Sequence, residues 1–127
     1  MVKDMVERDI NEGWYFFIDI VGASDPSLSI LCQLEKIKKL KKIIENFLNK
    51  YYNPEIYNSF TGDGMIIVFL NYKFPIELSI EIHKRINEYN AFFKGKERIL
   101  VRIGIGFGSY LSFQDGVHKK PHLGGMN

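Results

Sequence analysis

Hydrophobic positions along the chain alternate between short apolar runs and a longer periodic stretch. The unbroken run Trp14–Ile18 is typical of a strand that is buried on both faces of a sheet. From Leu28 to Leu48 the apolar residues recur every three or four positions, which predicts a long amphipathic helix. Asp25 as cap and Pro26 as first helical residue are expected to start this helix, and the Asn53-Pro54 pair is expected to end it.

A hairpin and a second helix are predicted next. Residues 55–61 and 65–70 are expected to pair as strands around the turn Gly62-Asp63-Gly64, because Asp-Gly is a strong hairpin signal. Pro75 is expected to open the second helix. Its inner side is predicted to carry Ile76, Ile80, His83, Ile82, Ile86 and Tyr89. Residues 99–107 and 110–113 are predicted to form two further strands.

This order of elements predicts an α+β fold. Strand, helix, strand, strand, helix, strand is the ferredoxin-like βαββαβ pattern, an antiparallel sheet with both helices on one face. The length of 127 residues suits a single domain, 1–127, with its core at about 14–113. No apolar stretch is long enough to span a membrane, and Cys32 is the only cysteine. A reducing, cytoplasmic location is therefore expected.

The charge balance argues against a nucleic-acid partner. A net charge of +2 provides little bulk attraction for a polyanion. The lysine run Lys36, Lys38, Lys39, Lys41 and Lys42 is interpreted as the solvated face of the first helix. It lacks the interleaved aromatic residues on which bases stack.

Asp19 is the most informative polar residue. A carboxylate at the end of a buried apolar strand is costly unless it is paired. Its partner could be a metal ion, a lysine or a backbone group that it caps. The small residues that follow, Gly22, Ala23 and Ser24, lead into a helix N-terminus, where free amides can hold a phosphate. A simple strand-to-helix turn would explain the same residues.

Asp63 at the hairpin tip is by itself only a good turn residue. In a βαββαβ sheet, however, the first strand and the hairpin lie side by side. The end of that strand and the hairpin tip can then share one sheet edge. Two carboxylates there could hold hard divalent cations, which clamp a triphosphate and activate a hydroxyl. The pair therefore predicts more than either residue.

Three segments resemble the class III adenylyl and guanylyl cyclases, and they occur in the order of that family. Residues 17–24 (FIDIVGAS) resemble its first-strand signature, 60–69 (FTGDGMIIVF) its hairpin signature, and 101–108 (VRIGIGFG) its later Arg-Ile-Gly-Ile strand. The match extends over about residues 14–108. It implies a nucleotidyl cyclase, which converts ATP or GTP to a 3′,5′-cyclic mononucleotide and pyrophosphate.

The resemblance also implies roles for individual residues. Asp19, Asp63 and the carbonyl of Ile20 would bind two Mg²⁺ or Mn²⁺ ions, and the amides of Gly22, Ala23 and Ser24 would contact the triphosphate. Ser59 and Gly62 fall at substrate-binding positions of the hairpin. Because the family's sites form between two domains, a homodimer is implied.

The chain departs from the family pattern at three positions. Ser59 stands where a base-selecting Lys or Glu is usual, so the preferred base stays open. Gly106 replaces a frequent His. Asn127 is the candidate for a catalytic Asn, and the Arg that follows it in the family would lie beyond residue 127.

Other functions stay open beside the cyclase. A degenerate domain could bind nucleotide, or only a partner chain, as a regulatory module without catalysis. A diguanylate cyclase would carry a Gly-Gly-Asp/Glu hairpin, where this chain has Thr61-Gly62-Asp63-Gly64. A structural ferredoxin-like domain would leave the Asp19 and Asp63 pair as coincidence.

Several other polar residues are interpreted as structural. Arg102 is expected at the surface or sheet edge rather than on a phosphate. Gly104, Gly106 and Gly108 are attributed to close backbone approach or bending. His83 is expected in or at the boundary of the core, and Cys32 in packing. A metal site at His118 and His122 would need further ligands.

Overall fold

The computed structural model describes residues 8–23 and 25–113 of the chain, with side chains described for residues 12–23 and 25–109. Four strands and two helices follow one another in the predicted order. They are β1 (Arg8–Ile20), α1 (Ile30–Lys50), β2 (Glu55–Phe60), β3 (Gly64–Phe69), α2 (Lys73–Asn90) and β4 (Val101–Phe113). A short 3-10 turn, Gly95–Glu97, precedes β4.

All four strands form one antiparallel sheet in the order β2-β3-β1-β4. This confirms the predicted α+β class and the βαββαβ order. Strands β2 and β3 form the hairpin, and β3 also pairs directly with the inner strand β1. The end of β1 and the tip of the hairpin thus meet at one edge.

The core lies between the helices and one face of the sheet. Alternate residues of β1, Phe16, Ile18 and Ile20, point toward the helices, because successive side chains of a strand face opposite ways. Their buried partners from the other elements are Ile67 and Phe69 of β3, Leu40, Ile43, Ile44 and Phe47 of α1, and Leu78, Ile82 and Ile86 of α2.

The opposite face of β1, here called the open face, carries no helix in the described part of the chain. Tyr15 and Val68 are buried there beneath Phe17, Ile56 and Tyr57. The Tyr15 hydroxyl reaches across β4 and donates to the carbonyl of Ser109 at 2.5 Å. Burial raises the pKa of this phenol. The expected two-sided burial of β1 is therefore confirmed at its centre.

The predicted start of the first helix is wrong by about one turn. The helix begins at Ile30, and Ser29 is its N-cap, with its side chain accepting from the amide of Cys32 at 3.1 Å. Asp25 instead closes a local turn, since its Oδ1 accepts from the amide and hydroxyl of Ser27, both at 2.8 Å. Asp and Ser both compete for caps and turns. The local sequence therefore did not show which of the two residues, Asp25 or Ser29, caps the helix.

The predicted inner side of the second helix is half wrong. Ile82 and Ile86 face the sheet, but Ile76, Ile80 and His83 are exposed. The helix carries two apolar stripes, and the sheet covers the one that includes Leu78. The periodic spacing of apolar residues shows that the helix has such stripes. Which stripe is covered depends on how α2 packs against β1 and α1.

Strands β1 and β4 are longer than predicted. β1 and β4 each run for 13 residues and pair along their whole length from Arg8–Phe113 to Ile20–Val101. No break separates the two strands predicted at 99–107 and 110–113, because Gly108 and Ser109 continue the ladder opposite Gly13 and Glu12. No helix among the described residues is long and apolar enough to cross a membrane.

Candidate functional site

The structure brings Asp19 and Asp63 to the same edge of the sheet. Asp19 is paired with Gly64 in the β1–β3 ladder, and the amide of Ile20 donates to the carbonyl of Asp63 at 3.1 Å. A hydrogen bond from the Thr61 amide to the Gly64 carbonyl, 2.7 Å, closes the hairpin turn. The two carboxylates are thus attached to backbone segments that are held together.

Gly64 permits this close approach. A Cβ atom at this position would lie 2.1 Å from the carbonyl oxygen of Ile18 and 3.0 Å from the Cα of Asp19. Both of these atoms belong to backbone, which cannot move aside as a flexible side chain does. The hairpin can therefore lie against the end of β1 only with glycine at position 64.

Arg102 pairs with Asp19 across the β1–β4 ladder. Its guanidinium donates from Nη2 to Oδ2 at 3.0 Å and from Nε to Oδ1 at 3.2 Å, a two-point contact. Hydrogen bonding to Asp19 raises the pKa of Arg102, and the charge of Asp63 adds to this effect. Both carboxylates therefore act on one cationic group at the same place.

Sequence reasoning assigned Arg102 to the surface, and its side chain is indeed 73% exposed. That reasoning missed its contact with Asp19, which depends on the cross-strand register. The sequence gave one signal: Arg102 alternates with apolar neighbours on a strand, so its side chain lies on the other face of the sheet from theirs.

A cavity of about 390 Å³ lies on the open face beside this cluster. Asp19 and Arg102 line its polar end, while Phe17 and Ile66 provide apolar surface. Gly104 extends the lining on β4. A site for a nucleotide needs such a combination, an apolar wall for a base and charged groups for phosphates. A larger groove of about 530 Å³ between α1 and α2 contains neither Asp19 nor Asp63.

The loop after β1 is tightly folded. The amide of Val21 donates to the carbonyl of Leu100 at 2.8 Å, and the amide of Ala23 donates to the carbonyl of Ile20 at 3.4 Å. Gly22 has a φ of 69°, which glycine adopts without strain. Ser24 lies outside the described residues. The predicted phosphate contacts of this loop stay a prediction.

The remaining predicted site residues divide into two groups. Ser59 on β2 is half-buried and pairs with Ile66, so it belongs to the open face, and Gly62 is exposed at the hairpin tip. Asn127, His118 and His122 lie outside the described residues. The lysine predicted to be solvated at position 36 is instead buried, and it donates to the carbonyl of Lys96.

The donor set at the sheet edge suits hard divalent cations. It consists of two carboxylates, Asp19 and Asp63, and the nearby Ile20 carbonyl, all of them oxygen ligands of the kind that Mg²⁺ prefers. Among the described residues no cluster of three or more His, Cys, Asp or Glu side chains forms a metal site. Mg²⁺ commonly takes one or two carboxylates and completes its shell with phosphates and water, so two acids fit.

Comparison with solved structures identifies the fold as that of nucleotidyl cyclase domains. A bacterial light-regulated adenylyl cyclase is similar over 91% of this chain and 64% of its own, with a TM-score of 0.71 and 15% identity. The adenylyl cyclase CyaB from P. aeruginosa is similar over 93% of this chain and 67% of its own, with a TM-score of 0.68 and 17% identity.

A monomeric guanylyl cyclase domain of the RhoGC fusion protein from the aquatic fungus Blastocladiella emersonii is also similar. The likeness covers 93% of this chain and 71% of that domain, with a TM-score of 0.59 and 19% identity. The chain spans about 64% of the first bacterial enzyme, and no protein-family model or curated protein matches the sequence. At these identities the shared property is the fold.

Proposed function

We propose that this chain is the catalytic domain of a nucleotidyl cyclase, which converts a nucleoside triphosphate to a 3′,5′-cyclic mononucleotide and pyrophosphate. One observation carries the proposal. In a cyclase fold, Asp19 and Asp63 lie at one sheet edge, joined through the hydrogen bond from Ile20 to Asp63.

In the proposed reaction the ribose 3′-hydroxyl gives its proton to water and its oxygen bonds to the α-phosphorus. The bond from that phosphorus to the α,β-bridging oxygen breaks, and pyrophosphate leaves. Asp19, Asp63 and the Ile20 carbonyl would hold Mg²⁺ or Mn²⁺. Such ions lower the pKa of a bound hydroxyl and neutralise phosphate charge. Two carboxylates alone would repel a triphosphate, so the ions are needed for binding as well as for chemistry.

When no metal ion is bound, the guanidinium of Arg102 neutralises the charge of Asp19. The pair is exposed, 41% at Asp19 and 73% at Arg102, so breaking it costs at most about 1 kcal/mol. A divalent cation can therefore take Asp19 from Arg102. The guanidinium would then lie free beside the site, where it could donate to a phosphate oxygen.

The apolar part of the open-face cavity suits the nucleotide base. Phe17 and Ile66 line it, and both are half-buried in this state of the chain. Because the open face has no covering element among the described residues, a second copy docked there would enclose the base. A homodimer with two sites is therefore part of the proposal.

A regulatory module without catalysis is the second candidate, and the ion pair of Asp19 with Arg102 favours it. A domain that only binds nucleotide or a partner needs no free metal ligand. In that reading Arg102 neutralises Asp19 permanently.

The test is incubation with Mn²⁺ and, separately, ATP, GTP, CTP and UTP, with the products analysed by mass spectrometry. We expect one cyclic mononucleotide and pyrophosphate, lost in Asp19→Asn and Asp63→Asn. Glu45→Gln, an exposed acid on α1, is the matched control and should retain activity. Calorimetry of Mn²⁺ binding completes the design. Mn²⁺ binding that depends on Asp63 but not on Asp19, with no product, supports the module. Mn²⁺ binding that is unchanged in both Asp variants refutes the proposed site.

A further inference from the structure

Another cavity, of about 320 Å³, is lined in part by the loop that follows β1. Its apolar lining comes from Val21, Leu28 and Leu100. Four charged side chains complete it, namely Asp25, Lys36, Lys96 and Arg98. Neither Asp19 nor Asp63 lines this cavity, so it lies apart from the two candidate metal ligands, although Gly22 of the loop with the predicted phosphate contacts forms part of its wall.

The charges in this cavity do not balance. Lys96 is paired with Asp25, Nζ to Oδ2 at 3.3 Å, and also donates to the hydroxyl of Ser27 at 2.7 Å. Lys36 and Arg98 form no ion pair with a carboxylate anywhere in the described part of the chain. Two positive charges therefore face the cavity without a negative partner.

Lys36 makes this imbalance unusual, because its side chain is buried. It is only 3% exposed, and within the described residues its one hydrogen-bond partner is the neutral carbonyl of Lys96. An ammonium group carries three donors. Buried charges in proteins are normally paired or bound to a ligand, since an unpaired one loses its hydration without compensation. An anion in the cavity would supply the missing partner.

The charged lining of the cavity suits a phosphate anion. Lys36 lies deep on α1, Arg98 is exposed on the segment before β4, and Gly22 lines the cavity without a side chain. A buried ammonium with an exposed guanidinium can hold a phosphate group from two directions, as a point charge and as a planar fork.

We propose that this cavity, lined by Lys36 and Arg98, is a phosphate-binding site separate from the metal-binding acids. Its ligand is a phosphoryl anion, which free phosphate, free pyrophosphate or the terminal phosphates of a nucleotide can provide. The site does not require cyclase activity. Its test is therefore independent of the proposed function.

The experiment is a calorimetric titration of the full chain with pyrophosphate at low salt, with EDTA present so that no divalent ion takes part. We expect saturable binding that Lys36→Met and Arg98→Ala each weaken about tenfold or more, the effect of one charge-assisted hydrogen bond. Lys38→Met, an exposed lysine on the same helix, is the matched control and should change little. Asp63→Asn should also bind pyrophosphate normally.

Lys36 connects α1 to the carbonyl of Lys96, so Lys36→Met could weaken binding by destabilising the chain. Arg98→Ala avoids this ambiguity, because Arg98 is exposed. Titration with ATP in EDTA distinguishes the sources. Tighter binding than pyrophosphate, equally sensitive to Arg98→Ala, indicates a nucleotide-borne phosphate; equal affinity indicates the free anion. No binding by the wild type, binding that survives both variants, or an equal loss in Lys38→Met would overturn the proposal. Lys36 would then be only a structural tie between α1 and the turn at 95–97.

Discussion

Single atoms decide whether the candidate site can form. Asp19 and Asp63 are far apart in sequence, and their approach depends on the missing side chain of Gly64. The sequence presented this glycine as half of an Asp-Gly turn. In the structure its more demanding role is to let the hairpin backbone contact the end of β1. The sequence likewise predicts Arg102 only at the surface or the sheet edge, although its register position opposite Asp19 makes it part of the candidate site.

At this scale we expect Gly64→Ala to lower the free energy of unfolding by about 2 kcal/mol or more, as overpacking against backbone does. The new Cβ would lie 2.1 Å from the Ile18 carbonyl oxygen, so β1 and β3 must separate. Gly106→Ala is the control, because no atom lies within 4 Å of its added Cβ. Urea unfolding followed by circular dichroism measures both.

The control variant should change the stability by no more than about 0.5 kcal/mol. An equal loss in the two variants would mean that the contact with β1 does not determine the effect. A Gly64→Ala protein as stable as the wild type would contradict the close approach itself.

The end of α2 and the start of β4 help to hold the candidate site in place. The last residue of α2, Asn90, is buried and bonds twice to Ile99, donating to its carbonyl at 2.8 Å and accepting from its amide at 2.7 Å. These bonds fix where the chain enters β4. The position of Arg102, three residues later, follows from them. The sequence predicted α2 and β4, but it gave no sign of this connection, because an Asn at a helix end is equally common in solvent.

At the scale of elements we expect Asn90→Ala to lower the free energy of unfolding by about 2–3 kcal/mol, since it leaves a buried amide and a buried carbonyl without partners. Asn87→Ala, three residues earlier on the same helix and exposed, should cost no more than about 0.5 kcal/mol. Chemical unfolding compares the two. A similar small loss in both variants would show that water satisfies Ile99 as well as Asn90 does.

The whole molecule has two unlike faces. The helices cover one face of the sheet, whereas the described residues leave Phe17, Ile66 and Tyr57 half-buried on the other. A partly apolar open face beside paired acids is the feature that a symmetric partner could complete. The proposed dimer therefore depends on the whole open face and not on any single residue.

For the whole molecule we expect Ile66→Glu to abolish concentration-dependent dimerisation while the monomer stays folded, because a buried carboxylate opposes association. Ile80→Glu is the matched control. It lies on the outer side of α2 and is 65% exposed, so it should dimerise like the wild type. Sedimentation velocity over a range of concentrations measures the effect. Dimerisation retained in Ile66→Glu but lost in Ile80→Glu would move the interface to the helix face.

The sequence by itself determined the elements, their order and the fold class. Apolar spacing is a local property, and the unbroken run 14–18 or the turn at 62–64 carries its meaning within a few residues. It also singled out Asp19, since a carboxylate that ends a buried strand is costly wherever the strand lies. Asp63 gained its interest only from the predicted βαββαβ order and from the family resemblance of its hairpin. Whether these residues act as metal ligands stays a prediction.

Only the tertiary structure decided which stripe of α2 is covered, that Ser29 rather than Asp25 caps α1, and that Lys36 is buried. It also placed Arg102 on Asp19. Each of these facts depends on contacts between residues distant in sequence, and such contacts are set by register and packing. A pattern read along one chain contains the tendencies of each segment, but the energy that selects among them arises only when the segments meet.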